Sequence, residues 1–190
     1  MNRRIKSFLF CCLIGLLLIV ILPKDYSWGA MIAYSTEELT NQSESIIIGT
    51  VLEMNSYWNE DKTLIFTDTL IQVQEFIKGS FAENPITVRH IGGTIGDLVL
   101  KVSDTPNFQL NDEVILFLNN DPESENIKIL QARTQGKYSI LENELTHEKE
   151  VVFESGVRVD KAGGVFVEKG QKIALAEFIN QIQTIIANQE

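Results

Sequence analysis

Hydrophobic positions alternate with polar ones through most of the chain after residue 45, the pattern of β-strands that bury one face. Gly, Asn, Asp and Pro clusters separate these segments at nearly regular spacing, and no periodic segment of helix length interrupts them. The predicted strands are Ile46–Met54, Leu64–Ile77, Ile86–Ile91, Leu98–Val102, Glu113–Leu118, Ile127–Leu130 and Lys137–Leu141. This order favours an all-β barrel or sandwich over alternating α/β units.

Three of these strands carry more specific information. Glu113–Leu118 is apolar on both faces and is predicted to lie in the middle of the core, and Ile46–Met54 has the same character, with Gly49 marking a bend or bulge. Leu64–Ile77 is much longer than an average strand. Because twist accumulates along such a strand, coiling round into a barrel is the expected outcome, and the predicted fold is a closed antiparallel barrel.

Helical patterns flank the strands. Ser35 and Glu38 have the spacing of a capping box, which predicts a short helix over 36–43, and the polar segment Asn55–Lys62 is predicted to be a loop. Near the C-terminus, Val157–Val159 and Val165–Val167 around the loop Asp160–Gly164 predict a β-hairpin. An amphipathic helix should close the chain, with its apolar face made of Leu175, Phe178, Ile179, Ile182, Ile185 and Ile186.

The first residues predict export. Basic residues precede the apolar run Phe8–Leu22, and small residues follow it, which is the arrangement of a signal peptide over 1–29. At about 1.5 Å per helical residue the run spans roughly 22 Å, less than the roughly 30 Å of a bilayer core, so cleavage is favoured. The expected location is secreted or at the cell surface, and a single-pass membrane anchor with the domain outside is the alternative. Residues 30–190 then form one domain, with the barrel at 45–141 and the hairpin and helix at 142–190.

Charge narrows the possible partners. Without residues 1–29 the chain has 12 basic and 25 acidic residues, a formal charge of −13. An acidic surface repels phosphates, so no nucleic-acid partner is expected, and contact with a membrane is expected only through an uncleaved N-terminal segment. Both cysteines, Cys11 and Cys12, lie in the signal, so the exported chain should have neither thiol nor disulfide. The expected partner is a protein or a small ligand outside the cytoplasm.

Catalytic and metal-binding patterns are weak. The histidines are His90 and His147, and one imidazole without a nearby cysteine or second histidine makes a poor metal site. The glycines Gly92, Gly93 and Gly96 lack the spacing and the following helix of a dinucleotide-binding loop. We therefore assign no catalytic residue, no metal and no cofactor, and expect the protein not to be an enzyme.

Eight short motifs, in order, carry a family resemblance over about half of the chain. They are Ser45–Val51, Phe66-Thr67, Val73–Gly79, Thr87-Val88, Gly92-Gly93, Pro106–Phe108, Glu113–Leu118 and Gln135–Lys137. In these the chain resembles a broad set of uncharacterised exported prokaryotic proteins with an OB-like β-barrel, which are distantly similar to netrin-like modules and tissue inhibitors of metalloproteinases. The resemblance implies an OB-like barrel. The resemblance does not imply the inhibitory mechanism of the metalloproteinase inhibitors. That mechanism needs a cysteine at the mature N-terminus to chelate the target's zinc, and no cysteine is expected in the exported chain.

The expected function is a non-catalytic extracytoplasmic binding module for a protein or a small ligand, a class that includes inhibitor-like proteins. OB-like barrels bind ligands on the strand face and the loops at one end. This predicts a binding surface formed by Tyr57, Trp58, His90, Gly92, Gly93, Pro106 and Phe108. Two alternatives stay open: a structural protein of the envelope that self-associates through a strand edge, and a hydrolase that uses two carboxylates such as Asp61 and Asp104.

Overall fold

The computed structural model describes residues 31–153, 156–159, 165–168, 170 and 172–189. The predicted export signal over 1–29 and the predicted hairpin loop Asp160–Gly164 lie outside these residues. The described part is mainly β, with a short helix near its start and a helix at its end, as the sequence predicted. Its elements are β1 Met31–Ile32, α1 Thr36–Gln42, β2 Ser45–Trp58, β3 Ile65–Lys78, β4 Ile86–Ile91, β5 Gly93–Ile95, β6 Leu98–Leu100, β7 Glu113–Asp121, β8 Ser124–Leu130, a 3₁₀ helix Arg133–Gly136, β9 Lys137–Glu142, β10 Lys149–Phe153, β11 Gly156–Val159, β12 Val165–Glu168, β13 Lys172–Ala174 and α2 Leu175–Ala187.

Eight strands form one sheet in the order β13-β10-β9-β7-β2-β3-β4-β8, and β8 also pairs with β7. The pairings of β7, β2, β3, β4 and β8 therefore run in a circuit that returns to β7. The prediction of a wholly antiparallel arrangement is wrong for one pair, because β4 and β8 are parallel, from Thr87 opposite Ile127 to Arg89 opposite Ile129. The chain passes through β5, β6 and β7 between them, and a long connection of this kind allows neighbouring strands to run in the same direction.

Strands β2 and β7 lie at the centre of the sheet, and β7 from Val114 to Leu118 and β2 as far as Val51 bury both of their faces, as predicted. The same prediction is wrong for the end of the segment Ile46–Met54, where Leu52 is 45% and Met54 38% exposed. One face contributes to a core cluster of Ile47, Val51, Ile71, Val73, Ile86, Val88, Phe108, Val114, Leu116, Leu118 and Leu130. The other face contributes to a second cluster of Leu39, Ile46, Ile48, Ile115, Phe117, Tyr138, Ile140, Val151, Phe178 and Ile182. Because successive side chains of a strand point to opposite faces, an uninterrupted apolar run such as Val114 to Leu118 is fully buried.

Both predicted helices are confirmed. At the start of α1 the Glu38 amide donates to Ser35 Oγ, and the Ser35 amide donates to Glu38 Oε2, which completes the capping box. In α2, Phe178 and Ile182 are fully buried in the second cluster. The C-terminal hairpin is also confirmed, since β11 and β12 pair antiparallel. No helix in the described ranges has the length and apolarity needed to cross a membrane.

The predicted loop Asn55–Lys62 is wrong in its first half. β2 continues to Trp58, which is paired with Ile65 at the start of β3. The polar residues of β2 join the sheet because the backbone of β3 offers them hydrogen bonds whatever their side chains are. The bulge predicted at Gly49 is confirmed by a register shift between Ile48 and Gly49. A Cβ atom at Gly49 would lie 2.6 Å from Ile71 Cγ2, so only glycine allows this approach of the strands.

Candidate functional site

A surface groove of about 560 Å³ lies where the β5–β6 hairpin and the segment that follows it meet β2, β3 and β4. Its volume is within the range of about 300 to 1,000 Å³ typical of ligand sites. The lining residues include apolar side chains, hydroxyls and one imidazole. They are Met54, Ser56, Thr67, His90, Gly93, Thr94, Val99, Leu100, Lys101, Val102, Thr105, Pro106, Asn107 and Phe108.

The lining of the groove contains a histidine stacked on a phenylalanine. The ring centroids of His90 and Phe108 are 5.9 Å apart with an angle of 24° between the planes. Phe108 is 6% exposed and belongs to the first core cluster. Burial lowers the pKa of His90, while the Ile91 carbonyl and the charge of Asp68 oppose this change. The imidazole is therefore biased towards its neutral form, which both donates and accepts a hydrogen bond.

The hairpin is held on the sheet by two hydroxyl groups. Thr67 Oγ1 donates to the Gly92 carbonyl at 2.6 Å, and Ser56 Oγ lies 2.8 Å from Thr67 Oγ1. Gly93 has a φ of 145°, and a Cβ atom there would lie 2.3 Å from Thr67 Oγ1 and 2.5 Å from Ser56 Oγ. Glycine is thus required at position 93 for both its backbone conformation and its close contact with the hydroxyls.

A smaller cleft of about 220 Å³ shares His90, Val102, Thr105 and Pro106 with the groove. Thr105 Oγ1 lies 2.8 Å from the Val102 carbonyl and 3.2 Å from the Ile91 carbonyl, so the hydroxyl ties this segment to the end of β4. Pro106 is buried, like Phe108. The two predicted residues therefore form the floor of the groove rather than projecting from it.

Tyr57 and Trp58 do not line the groove. Tyr57 Oη donates to Asp68 Oδ2 at 3.1 Å, and Arg89 binds both oxygens of the same carboxylate at 2.8 and 2.9 Å. The Arg89 guanidinium also lies 5.6 Å from the centroid of the Tyr57 ring. Burial and the Asp68 charge raise the pKa of Tyr57, and the hydrogen bonds that Arg89 donates to Asp68 raise the pKa of Arg89. Tyr57 thus belongs to a cross-strand network with Asp68 and Arg89, and Trp58 is half-buried at the end of β2.

Of the predicted surface, the structure brings His90, Gly93, Pro106 and Phe108 together at the groove, while Gly92 contacts β3 through its carbonyl. Sequence reasoning missed the exposed apolar side chains beside it. Leu98 is 58% exposed, Val99 60% and Met54 38%. The run Leu98–Leu100 directly after Gly96 and Asp97 was the available signal, because three consecutive apolar residues next to a tight turn seldom all face the core.

Asp61 and Asp104, the two carboxylates of the hydrolase alternative, have different surroundings. Thr63 Oγ1 donates to Asp61 Oδ1 at 2.8 Å, and this hydrogen bond lowers the pKa of Asp61. A general acid needs the opposite shift. Asp104 has a φ of 64° and lines the smaller cleft. Within the described ranges, no group of three or more His, Cys, Asp or Glu side chains is arranged to hold a metal ion.

No protein-family model matches the chain, and no curated protein matches it.

Proposed function

We propose that the protein is a non-catalytic binding module that acts outside the cytoplasm and takes an extended apolar segment of a partner protein into the groove. The observation that carries this proposal is the groove itself, with a floor made by the buried Pro106 and Phe108 and a rim of exposed apolar side chains. His90 and Phe108 stack below it, and the hydroxyls of Ser56 and Thr67 hold the hairpin that borders it. A preorganised site of this kind loses little entropy on binding.

We propose further that β2, β3, β4, β7 and β8 form an OB-like barrel. The circuit of pairings from β7 through β2, β3, β4 and β8 supports this arrangement. OB-fold proteins bind ligands on the face of the second and third strands of the barrel and on the neighbouring loops. Here these strands are β3 and β4, which contribute Thr67 and His90 to the groove.

The edge of β6 supports an extended peptide as the occupant. β6 pairs with β5 on one side, and no other strand in the described part pairs with it. Its Leu98 and Val99 side chains are more than half exposed. An open edge next to apolar side chains is what a partner strand uses, because main-chain hydrogen bonds supply affinity and side-chain pockets supply specificity. The formal charge of −13 over residues 30–190 favours a neutral or basic partner.

A random dodecapeptide library selected against the exported form tests this proposal. We expect apolar peptides to be enriched, and Val99→Asp to weaken their binding by at least about tenfold, because a charge would have to be desolvated in the groove. Leu145→Asp is the matched control, since Leu145 is 92% exposed and lies between β9 and β10. Failure to enrich any apolar peptide, or equal binding by the Val99→Asp variant, would overturn the proposal.

Sedimentation of the exported form separates the proposal from the envelope-assembly alternative. If β6 serves self-association, the protein should sediment as an oligomer that Val99→Asp dissociates, and that result contradicts a free peptide groove. We expect both the unchanged protein and the Val99→Asp variant to sediment as monomers. N-terminal sequencing of the same material tests the export proposal, since cleavage near Ala30 should remove the apolar run.

A further inference from the structure

The second half of β2 is paired on one side and not on the other. β3 pairs with β2 up to Trp58, whereas β7, on the other side, pairs with it only as far as Thr50. The bonds of Val51 with the segment just before β7 continue this side by one residue. From Glu53 to Trp58, no described residue forms a backbone hydrogen bond with this side of β2. We call the unpaired side of Glu53–Trp58 the open edge.

The hydrogen bonds at the end of β2 decide which backbone groups point to the open edge. The Asn59 amide donates to the Leu64 carbonyl at 2.9 Å, across the turn between β2 and β3. In an antiparallel pair, residues bonded to the partner strand alternate with residues whose N–H and C=O groups point to the other side. The pairing has no register shift between Glu53 and Trp58. Counted back from Asn59, the groups of Trp58, Ser56 and Met54 therefore point away from β3.

Two contacts of β3 agree with this alternation. Ile65 lies opposite Trp58, and the Ile65 carbonyl accepts from the Gly92 amide at 2.8 Å, so it points towards β4 and not towards β2. The hydroxyl oxygens of Ser56 and Thr67, which are also opposite each other, lie 2.8 Å apart. Side chains come closest in the pairs that share no backbone bond. The open edge thus presents three N–H and three C=O groups to a further strand.

The side chains of the open edge lie on two faces. Met54 and Ser56 line the groove together with Val99, and Met54 is 38% exposed. Glu53 and Tyr57 lie on the opposite face, because side chains alternate along a strand. A strand that pairs with the open edge therefore presents every second side chain to the groove and the others to the face that carries Glu53.

Charge indicates the chemistry of such a strand. Residues 52–62, the end of β2 and the turn that follows it, contain three acidic residues and one lysine, a formal charge of −2. Among the described residues, Glu53 has no ion-pair partner. The basic side chain in the lining of the groove is Lys101. Basic residues on the Glu53 face and apolar residues in the groove complement both faces, whereas a second copy of this chain would bring the same negative charge to the edge.

We propose that the partner segment binds as an antiparallel strand to the open edge, with apolar side chains in the groove and lysine or arginine side chains beside Glu53. This inference rests on the function proposed above and specifies the sequence pattern of the occupant. The backbone groups of Met54, Ser56 and Trp58 bond the segment, and Val99 contacts its apolar side chains. The open edge is longer than β6, which has three residues, and an antiparallel pair is slightly more stable per residue than a parallel one.

Two octapeptides of the same composition test the pattern by fluorescence anisotropy with the exported form. One alternates leucine and lysine, and the other has four leucines followed by four lysines. We expect the alternating peptide to bind at least about tenfold more tightly, because only alternation places all leucines on one face of a strand. Equal affinities would overturn this inference and leave the apolar groove in place. Absence of binding by both peptides would also overturn it, while the dodecapeptide library tests the groove independently.

N-methylation of the alternating peptide tests the main-chain bonds without changing the protein. Residues opposite each other in an antiparallel pair share a face, so the amides that bond Met54 and Ser56 are those of the leucines. Methyl groups on the leucine amides should weaken binding by at least about tenfold, and methyl groups on the lysine amides by less than about threefold. Equal affinities of the two methylated peptides, or a loss confined to the lysine-methylated one, would contradict an antiparallel strand.

Hydrogen exchange followed by NMR measures the open edge itself. In the free protein the amides of Met54, Ser56 and Trp58 should exchange faster than those of Asn55 and Tyr57, which bond β3. The alternating peptide should slow exchange of the first set by at least about tenfold. Similar rates for the two sets in the free protein, or rates that the bound peptide leaves unchanged, would overturn the proposal.

Glu53→Lys tests the charge of the partner strand. It should weaken binding of the leucine-lysine peptide by about threefold or more and strengthen binding of a peptide that alternates leucine and glutamate. Glu144→Lys is the matched control, since Glu144 is exposed in the turn between β9 and β10 and the net charge changes by the same amount. Equal effects of the two substitutions would contradict a basic side chain beside Glu53.

Discussion

The imidazole of His90 stacks on the ring of Phe108, with centroids 5.9 Å apart and 24° between the ring planes. Phe108 has a second polar neighbour, since Lys137 Nζ lies 5.4 Å from the centroid of the same ring and 3.1 Å from Ser139 Oγ. Lys137 is only 2% exposed. One buried aromatic ring therefore connects the groove, through His90, with the buried amine and the first core cluster.

Phe108→Ala should lower the free energy of unfolding by about 3 to 5 kcal/mol, the usual cost of removing a buried phenylalanine ring. Loss of the contact with the Lys137 amine adds to the cost of the cavity. Urea unfolding followed by circular dichroism measures the change. Phe108→Leu keeps most of the volume and should cost about 1.5 kcal/mol or less. Similar stability of the alanine variant and the unchanged protein would show that Phe108 is not part of the core.

Protonation of His90 should make stability fall in mildly acidic solution. Burial lowers the folded-state pKa of His90 below its unfolded value of about 6.5, so the unfolded chain binds the proton more readily. The stabilisation is complete above the unfolded pKa, declines as the pH falls through it, and levels off below the folded pKa. Urea unfolding between pH 8 and pH 5 should show that His90→Gln has a shallower decline than the unchanged protein.

His147→Gln is the control for this pH dependence. The His147 side chain is exposed beside Glu142. Because the variant still contains His90, the contribution of His90 to the decline of stability with falling pH should be unchanged. An equally steep decline in the His90→Gln variant would assign the pH dependence to other groups.

Gly93→Ala should lower the free energy of unfolding by more than Gly96→Ala. Both positions have a positive φ, which costs a residue with a Cβ atom about 1 to 3 kcal/mol. At Gly96 nothing lies within 4 Å of the added Cβ atom, whereas at Gly93 the atom meets the Thr67 and Ser56 hydroxyls. Ser56→Gly together with Gly93→Ala should recover part of the loss in a double-mutant cycle. Equal costs at the two glycines would contradict the close contact of Gly93 with the Thr67 and Ser56 hydroxyls, which holds the hairpin on the sheet.

Asp68→Asn should cost about 1 to 2 kcal/mol of stability, because Arg89 loses a two-point, charge-assisted partner while about a quarter of each side chain remains exposed. Tyr57→Phe removes a single hydrogen bond and should cost about 1 kcal/mol. Glu113→Gln, which breaks the more exposed pair with Lys149, should cost less than about 1 kcal/mol. Urea unfolding at low and high salt measures the loss in free energy of unfolding for each of the three variants. A larger loss for Glu113→Gln than for Asp68→Asn would contradict the ranking.

Particular residues show where sequence reasoning works and where it fails. The apolar run Val114 to Leu118 predicted a strand buried on both faces, because only two-sided burial explains five consecutive apolar side chains. The polar residues Asn55 and Ser56 instead suggested a loop, yet they pair with Asp68 and Thr67 of β3. Local propensity was overruled there by the hydrogen bonds of a neighbouring strand, which the sequence does not display.

The residues of the groove were likewise predicted only in part. Gly93 and His90 were found because glycines at a strand end and a rare histidine stand out in the sequence. Tyr57 and Trp58 were assigned to the same surface but do not line the groove, and Met54 and Val99 were not recognised. Which residues share a surface depends on how β2, β3 and the β5–β6 hairpin meet, through contacts such as Ser56 with Thr67 and Thr67 with Gly92, which join residues 11 and 25 positions apart.

From its own pattern, the sequence determined the mainly β class of this protein, the position of β2–β4, β6–β9, β11 and β12, where the two helices begin, and which side chains are apolar enough to be buried. These properties depend on neighbours along the chain, within one turn of helix or a few residues of strand. The sequence did not predict the short strands β1, β5, β10 and β13. The tertiary structure alone decided that β4 and β8 run parallel, that two core clusters share β2 and β7, and that a groove opens between the β5–β6 hairpin and the sheet. The reason is that pairing and packing between distant segments are set by the combined free energy of all contacts, and no single segment encodes that sum.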